Sequence, residues 1–203
     1  LGWNPGTEQE IFSMNELVEA FSIERVHKAG SRFDPEKAKW FNHQYLQKRT
    51  NNQLAIEFRE YLRPKGYHID IVDLEKLVSL VKDRVSFVKD IWDQTDFFFK
   101  APAEYDKEAV KKRWQENTPD ILKELASLLE GIAEFNPSST ETAVKAWIAD
   151  SGYNMGAVMN AFRIVIVGAL RGPHMFDIIS WLGKEETLKR IEKGVSAIGT
   201  GLQ

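Results

Sequence analysis

The chain has 203 residues, 43% hydrophobic and 28% charged. These are ordinary proportions for a globular protein with one large or two small domains and a sizeable core. No stretch is apolar for about 18 residues, which leaves no helical membrane span, and the absence of cysteine rules out disulfides and thiol chemistry and fits a reducing cytoplasm. The net charge of -3 does not suggest nucleic acid, but it is unevenly spread: residues 25–65 carry ten Lys/Arg against four Asp/Glu, a net of +6 that leaves -9 for the rest. That asymmetry allows a local anionic partner. On composition alone a solvated helical face is the better reading. The first residues carry no signal-peptide pattern. A chain that opens at Leu1 without Met is expected to be part of a longer protein.

Residues 1–12 read as an extended lead-in with a turn at Asn4-Pro5-Gly6. Ser13 and Glu16 form a capping box that opens a short helix with Leu17 and Ala20-Phe21 on one side. A loop is expected at Ala29-Gly30-Ser31. Asp34-Pro35-Glu36 starts the next helix, with Asp as N-cap and Pro where a missing N–H costs nothing. That helix runs to about Gln47, with Trp40, Phe41 and Tyr45 as its apolar face. Thr50 and Gln53 form a weaker capping box before Leu54, Phe58 and Leu62, closed by Pro64-Lys65-Gly66. Tyr67–Ile71 is a connection, briefly extended.

Leu74, Leu77, Val78, Val81, Val85, Val88 and Trp92 recur at steps of three and four, which predicts one long amphipathic helix with Arg84 on the flank of its stripe. The Phe97-Phe98-Phe99 cluster reads as core rather than as a stacking platform. Asp106–Trp114 is a short helix. Thr118-Pro119-Asp120 opens another that continues toward Phe135, and Asn136-Pro137-Ser138 breaks it. Ser139 starts a helix ended by Ser151-Gly152. Residues 154–183 are the most apolar part of the chain: a buried helix whose clean apolar run is Ile164–Leu170, a break at Gly172-Pro173, and a second helix to Gly183. Arg163 and Arg171 lie inside this stretch. An amphipathic helix from Lys184 to about Ala197 closes the chain. No strand alternation of useful length occurs, so the fold class is all-α, with about ten helices.

There is no phosphate loop, nucleophile elbow or metalloprotease motif. The histidines at 27, 43, 68 and 174 are scattered and read as surface or satisfied side chains rather than metal ligands. The pairs Asp70/Asp73 and Asp93/Asp96 read as solvation or capping. Lys37 and Lys39 near Trp40, with Arg25, Lys28 and Arg32 before them, can neutralise phosphate.

Several collinear stretches carry a family resemblance. LGWNPGTEQEIFSMNELVEAFSIERV looks like the segment downstream of a second ATP-binding signature. GSRFDPEKAKWFNHQYL contains an F-D-x-E-K-x-x-W-x-N core, and LVKDRVSFVKDIWDQTDFFF and FRIVIVGALRGPHMFDIISWLGKEETLKRI follow in order. Together they resemble the C-terminal half of the bacterial glutamyl-tRNA synthetase family, class I. The resemblance implies a multi-helix stem-contact segment over 1–70. A helical anticodon-binding cage over 71–203 follows, in two subdomains split near 135–140. It implies a glutamate–tRNA ligase as the parent protein, with ATP and magnesium used by a catalytic domain whose HIGH-like and KMSKS-like motifs are not found here. The fragment alone is therefore expected to be inactive and to hold no cofactor.

The resemblance places Arg84 on the arginine that reads the third anticodon base in discriminating members. It places Arg163 on the arginine that contacts the first base, and Gly172, Pro173 and Met175 in the turn that shapes that pocket. Lys37 matches the lysine of the stem-contact helix, and Lys39 and Arg25 are its companions toward the stem. Arg171 is open between a phosphate contact and a helix-end cap. The implied partner is tRNA-Glu, in the cytoplasm, bound by a monomer. Whether tRNA-Gln is also a substrate of the parent stays open. The competing reading is a helical protein-interaction scaffold without nucleic-acid binding.

Overall fold

A computed structural model describes residues 2–27 and 32–201; Lys28 and the loop expected at Ala29-Gly30-Ser31 lie outside the described residues. Among the described residues there are ten α-helices, three 3-10 turns and one isolated bridge between Trp3 and Val26, so the class is all-α as expected. The chain divides into two compact units, Leu1–Pro64 with His68–Asp90, and Lys65–Tyr67 with Ile91–Gln203.

The first unit holds α1 (Met14–Ala20), α2 (Pro35–Lys48), α3 (Asn51–Leu62) and α4 (Ile71–Val81). Local chemistry sets their starts. Ser13 Oγ accepts from the Glu16 amide at 3.3 Å, and the Glu16 carboxylate accepts from the Ser13 amide at 2.6 Å. Thr50 and Gln53 repeat the exchange at 3.0 and 3.1 Å. The Asp34 carboxylate takes the amides of Glu36 and Lys37, with Pro35 in the first turn. Each cap satisfies amides that have no partner within the helix. The core is α3 packed along α4, through Leu54, Phe58, Leu62, Leu74, Leu77, Val78 and Val81, all fully buried.

Three expectations change in this unit. α1 buries no residue, and Phe21 meets Trp3 with the rings tilted by 41° and their centroids 5.9 Å apart. On α2 the buried residue is Leu46, while Trp40 and Tyr45 are exposed. The aromatic side of α2 faces the lead-in, where the Tyr45 hydroxyl donates to the Phe12 carbonyl at 2.8 Å. Its other side is polar and occupied by hydrogen bonding. The long helix expected over 74–92 is broken: α4 stops at Val81, Lys82–Arg84 is a 3-10 turn, Val85 is extended at ψ 143, and a new helix begins at Asp90. Val81 and Val85 are both buried in spite of the break, so the apolar spacing survives while the helix does not.

The second unit is built from α5 (Asp90–Phe99), α6 (Lys107–Arg113), α7 (Thr118–Glu130), α8 (Pro137–Ser151), α9 (Met155–Val167) and α10 (Met175–Gly201). α10 lies against α7, α8 and α9. Phe97 and Phe98 are core, as expected, and lie within α5. α7 ends at Glu130 rather than near Phe135, and Lys184 donates to the carbonyls of Glu130 and Ile132 at that end. A cation there complements the negative end of the helix dipole. Asn136-Pro137 starts α8 rather than only breaking α7, because the Asn136 side chain accepts from the Ser139 amide at 2.9 Å and Pro137 needs no amide partner at that position.

α9 ends at Val167, so Gly168, Ala169 and Leu170 lie outside the helix. Gly168 has φ 86, and a Cβ there would sit 2.8 Å from Pro102 Cβ and 2.9 Å from the Glu104 carbonyl oxygen. α10 is broken at Gly183 (φ 78, ψ 166), where the sequence places the end of one helix and the start of the next. Gly194 marks its closest approach to α9: a Cβ would lie 2.6 Å from both Cβ and Cγ1 of Val165. Gly194→Ala is therefore expected to lower stability by about 1–3 kcal/mol, read as a lower urea midpoint. Gly199→Ala, with nothing within 4 Å, is expected to be neutral or slightly stabilising.

Candidate nucleic-acid interface

Arg84 ends the 3-10 turn that interrupts α4. It is half exposed, with Nε 3.9 Å from Asp83 Oδ1. The turn is fastened from both sides. Asp90 Oδ2 accepts from the amides of Ser86 (3.2 Å) and Phe87 (2.9 Å), which lie between the turn and α5. From α2, Gln47 Nε2 donates to the Lys82 carbonyl at 2.6 Å, His43 Nδ1 meets the Val85 carbonyl at 2.8 Å, and Asn42 Nδ2 donates to the Ser86 carbonyl. Breaking a helix strands backbone carbonyls, and these side chains take them up. Lys82 Nζ returns a bond to the Arg49 carbonyl.

The other predicted residues of this unit serve different ends. Lys37 pairs with Glu10 at 2.9 Å, both side chains about half exposed. Such a pair is worth roughly 0–1 kcal/mol, so Lys37 can exchange it for phosphate at little cost. Lys39 is exposed and makes no ion pair among the described residues. Arg25 donates to the Pro5 carbonyl and thereby pins the lead-in.

In the second unit the structure gathers Arg163, Gly172, Pro173 and Met175 at one turn. Arg163 projects from the third turn of α9, and its Nη1 donates to the carbonyls of Arg171 and Pro173, each at 2.9 Å. One guanidinium nitrogen thus spans the loop between α9 and α10. Gly172 has φ 99, and a Cβ there would lie 2.8 Å from Phe97 Cζ. Pro173 is buried and Met175 is only 1% exposed, so both reach the turn as packing. Arg171 is tied back to α5: Nη2 to Asp96 Oδ1 at 2.6 Å, Nη1 to the Asp93 carbonyl at 2.6 Å, and its guanidinium 5.2 Å above the Phe97 ring. Beside the turn, His174 Nε2 is 3.7 Å from Glu141 Oε1 on α8, and Lys145 Nζ pairs with the same carboxylate at 2.5 Å. The Lys145 hydrogen bond holds the Glu141 carboxyl below its ordinary pKa.

Sequence reasoning missed Arg190, which holds this neighbourhood together. It is 3% exposed on α10. Nε donates to Glu186 at 2.7 Å, and Nη1 donates to the carbonyls of Phe97 (2.7 Å) and Ile166 (3.1 Å). Those carbonyls belong to the last turns of α5 and α9, where acceptors lack helical partners and a cation is favoured. A signal existed: Thr187, Arg190, Ile191, Gly194 and Ile198 form one buried stripe, and Glu186 precedes Arg190 by one helical turn. Among the described residues, no group of three or more His, Asp or Glu is placed to hold a metal ion, and no helix is long and apolar enough to cross a membrane.

This all-helical arrangement agrees with the comparisons. Residues 53–195 match the anticodon binding domain family, and the chain belongs to that family. It is 52% identical over 198 residues to the glutamate–tRNA ligase of Flavobacterium johnsoniae, covering 98% of this chain and 39% of that protein. It is 48% identical to the glutamate–tRNA ligase of Phocaeicola vulgatus, with the same coverage. A glutamate tRNA ligase crystal structure from Elizabethkingia meningosepticum matches with a TM-score of 0.90 and 38% identity, over 98% of this chain and 39% of that one. The chain therefore spans about two fifths of the length of these relatives.

Two measurements check this account of the turn. Arg190→Met is expected to cost about 3 kcal/mol by urea denaturation, because it leaves the Phe97 and Ile166 carbonyls without their donor and Glu186 without its ion pair. Lys145→Met is expected to raise the Glu141 titration midpoint, read by carbon NMR. The sign follows from the lowered folded-state pKa: the Glu141–Lys145 contribution is present at neutral pH and is lost as pH falls through that value.

Proposed function

We propose that this chain is the tRNA-binding part of a glutamate–tRNA ligase and that its partner is tRNA-Glu. The observation that carries the reading is the match of residues 53–195 to the anticodon binding domain, together with about half identity to glutamate–tRNA ligases over 98% of the chain. Attachment of glutamate with ATP and magnesium is assigned to the catalytic part of the ligase. Residues 1–70 are the stem-contact segment and 71–203 the anticodon-binding domain. The comparisons give no support to an interaction scaffold without nucleic acid.

Each unit supplies its own contact. Arg84 reads the third anticodon base. Its planar donors suit the acceptors on cytosine, whereas uracil presents an N–H and leaves a donor unpaired, at a cost of about 1–3 kcal/mol. Arg163 meets the first base from a guanidinium already fixed by the turn it spans, with Gly172, Pro173 and Met175 shaping the wall. Lys37, Lys39 and Arg25 face the stem, where phosphate contacts give affinity without sequence preference.

Titration of the chain with tRNA-Glu at two salt concentrations tests the reading: binding is expected to weaken steeply with salt, and salt-independent or absent binding would overturn it. Arg84→Ala is expected to abolish the preference for cytosine over uracil at the third anticodon position, a preference of about tenfold. Lys37→Ala is expected to weaken both complexes equally. If Arg84→Ala instead lowers affinity for every anticodon alike, Arg84 is not the reader.

A further inference from the structure

We infer that Asn42, His43 and Gln47 of α2 are positioning residues for Arg84, so that one helix carries both the candidate stem contacts and the frame of the base reader. The inference rests on the proposed role of Arg84. It starts from the order of the hydrogen bonds. Asn42 reaches Ser86, His43 reaches Val85 and Gln47 reaches Lys82, so α2 and the turn are matched in opposite chain directions. Arg84 falls in the interval between the His43 and Gln47 contacts. Leu46, buried, sits between those two donors on the same helical face.

All three α2 groups end on backbone. A carbonyl only accepts, so His43 presents Nδ1–H to Val85. The acceptors are carbonyls of the non-α-helical stretch after α4; that of Lys82 also accepts the 3-10 bond from the Val85 amide. With the Asp90 carboxylate holding the amides of Ser86 and Phe87, the backbone is clamped on both its donor and acceptor sides within three residues of Arg84. A base-reading guanidinium discriminates by geometry, and tethers of this kind fix where its side chain begins. Lys37 and Lys39 stand on the same α2, one to two helical turns before Asn42 and His43. A shift of α2 on binding the stem would therefore be carried to the Arg84 turn through rigid backbone.

The test compares wild type with R84A, H43L, Q47L and H43Q, measuring the affinity of the whole chain for tRNA-Glu and for its variant with uracil at the third anticodon position. H43L and Q47L are each expected to lower the cytosine preference about fivefold, the equivalent of one lost hydrogen bond, while changing uracil-variant binding less than twofold. H43Q, which keeps a donor, is expected to restore most of the preference, and R84A to abolish it. Amide exchange at Arg84 and Val85 is expected to quicken in H43L and not in H43Q. If exchange quickens and R84A abolishes the preference, yet H43L and Q47L keep it or lower both affinities alike, the inference fails and the Arg84 reading stands. If R84A leaves the preference intact, the Arg84 reading itself fails and takes the inference with it.

Discussion

The second unit depends on a single guanidinium. Arg190 places one positive group where two helices end, and its Nη1 satisfies a carbonyl of α5 and a carbonyl of α9 together. Burying an arginine is costly unless its charge and donors are met. Here they are met by Glu186 and by two carbonyls that would otherwise be stranded away from water. The close approach of Gly194 to Val165 brings α10 near enough for this to occur. The turn spanned by Arg163 follows shortly after α9; Asp93 and Asp96, which receive Arg171, precede Phe97 on α5, and Phe97 itself packs against Gly172. The shape of that turn is therefore set by the same contacts that close the core.

Much of this was legible from the residues. Capping boxes at Ser13/Glu16 and Thr50/Gln53, and the Asp34-Pro35 start, were visible because their physics is local and complete within four residues. The break at Gly183 was visible because glycine tolerates the left-handed backbone, whereas the apolar run through Leu170 hid the earlier end of α9 at Gly168. The family resemblance supplied candidate roles for Arg84, Arg163 and Lys37 that periodicity alone did not.

What escaped was non-local. Val81, Val85 and Val88 continue a helical spacing, and nothing near them announces that the helix stops. The stop depends on donors from Asn42, His43 and Gln47, about forty residues earlier, which read as an unremarkable polar face. α2 misled for the complementary reason. Its aromatics are partly exposed, and its structural content lies in amides and an imidazole. The role of Arg190 rests on carbonyls of α5 and α9 that lie far from it in sequence.

The grip of α2 on residues 82–86 has one more consequence. Hydrogen bonds to carbonyl oxygens are blind to the side chains those residues carry. Those particular hydrogen bonds therefore do not require arginine at position 84. One codon change can exchange the side chain presented at this point while its anchorage stays in place. The backbone anchorage is thus separable from the chemistry of the group it presents.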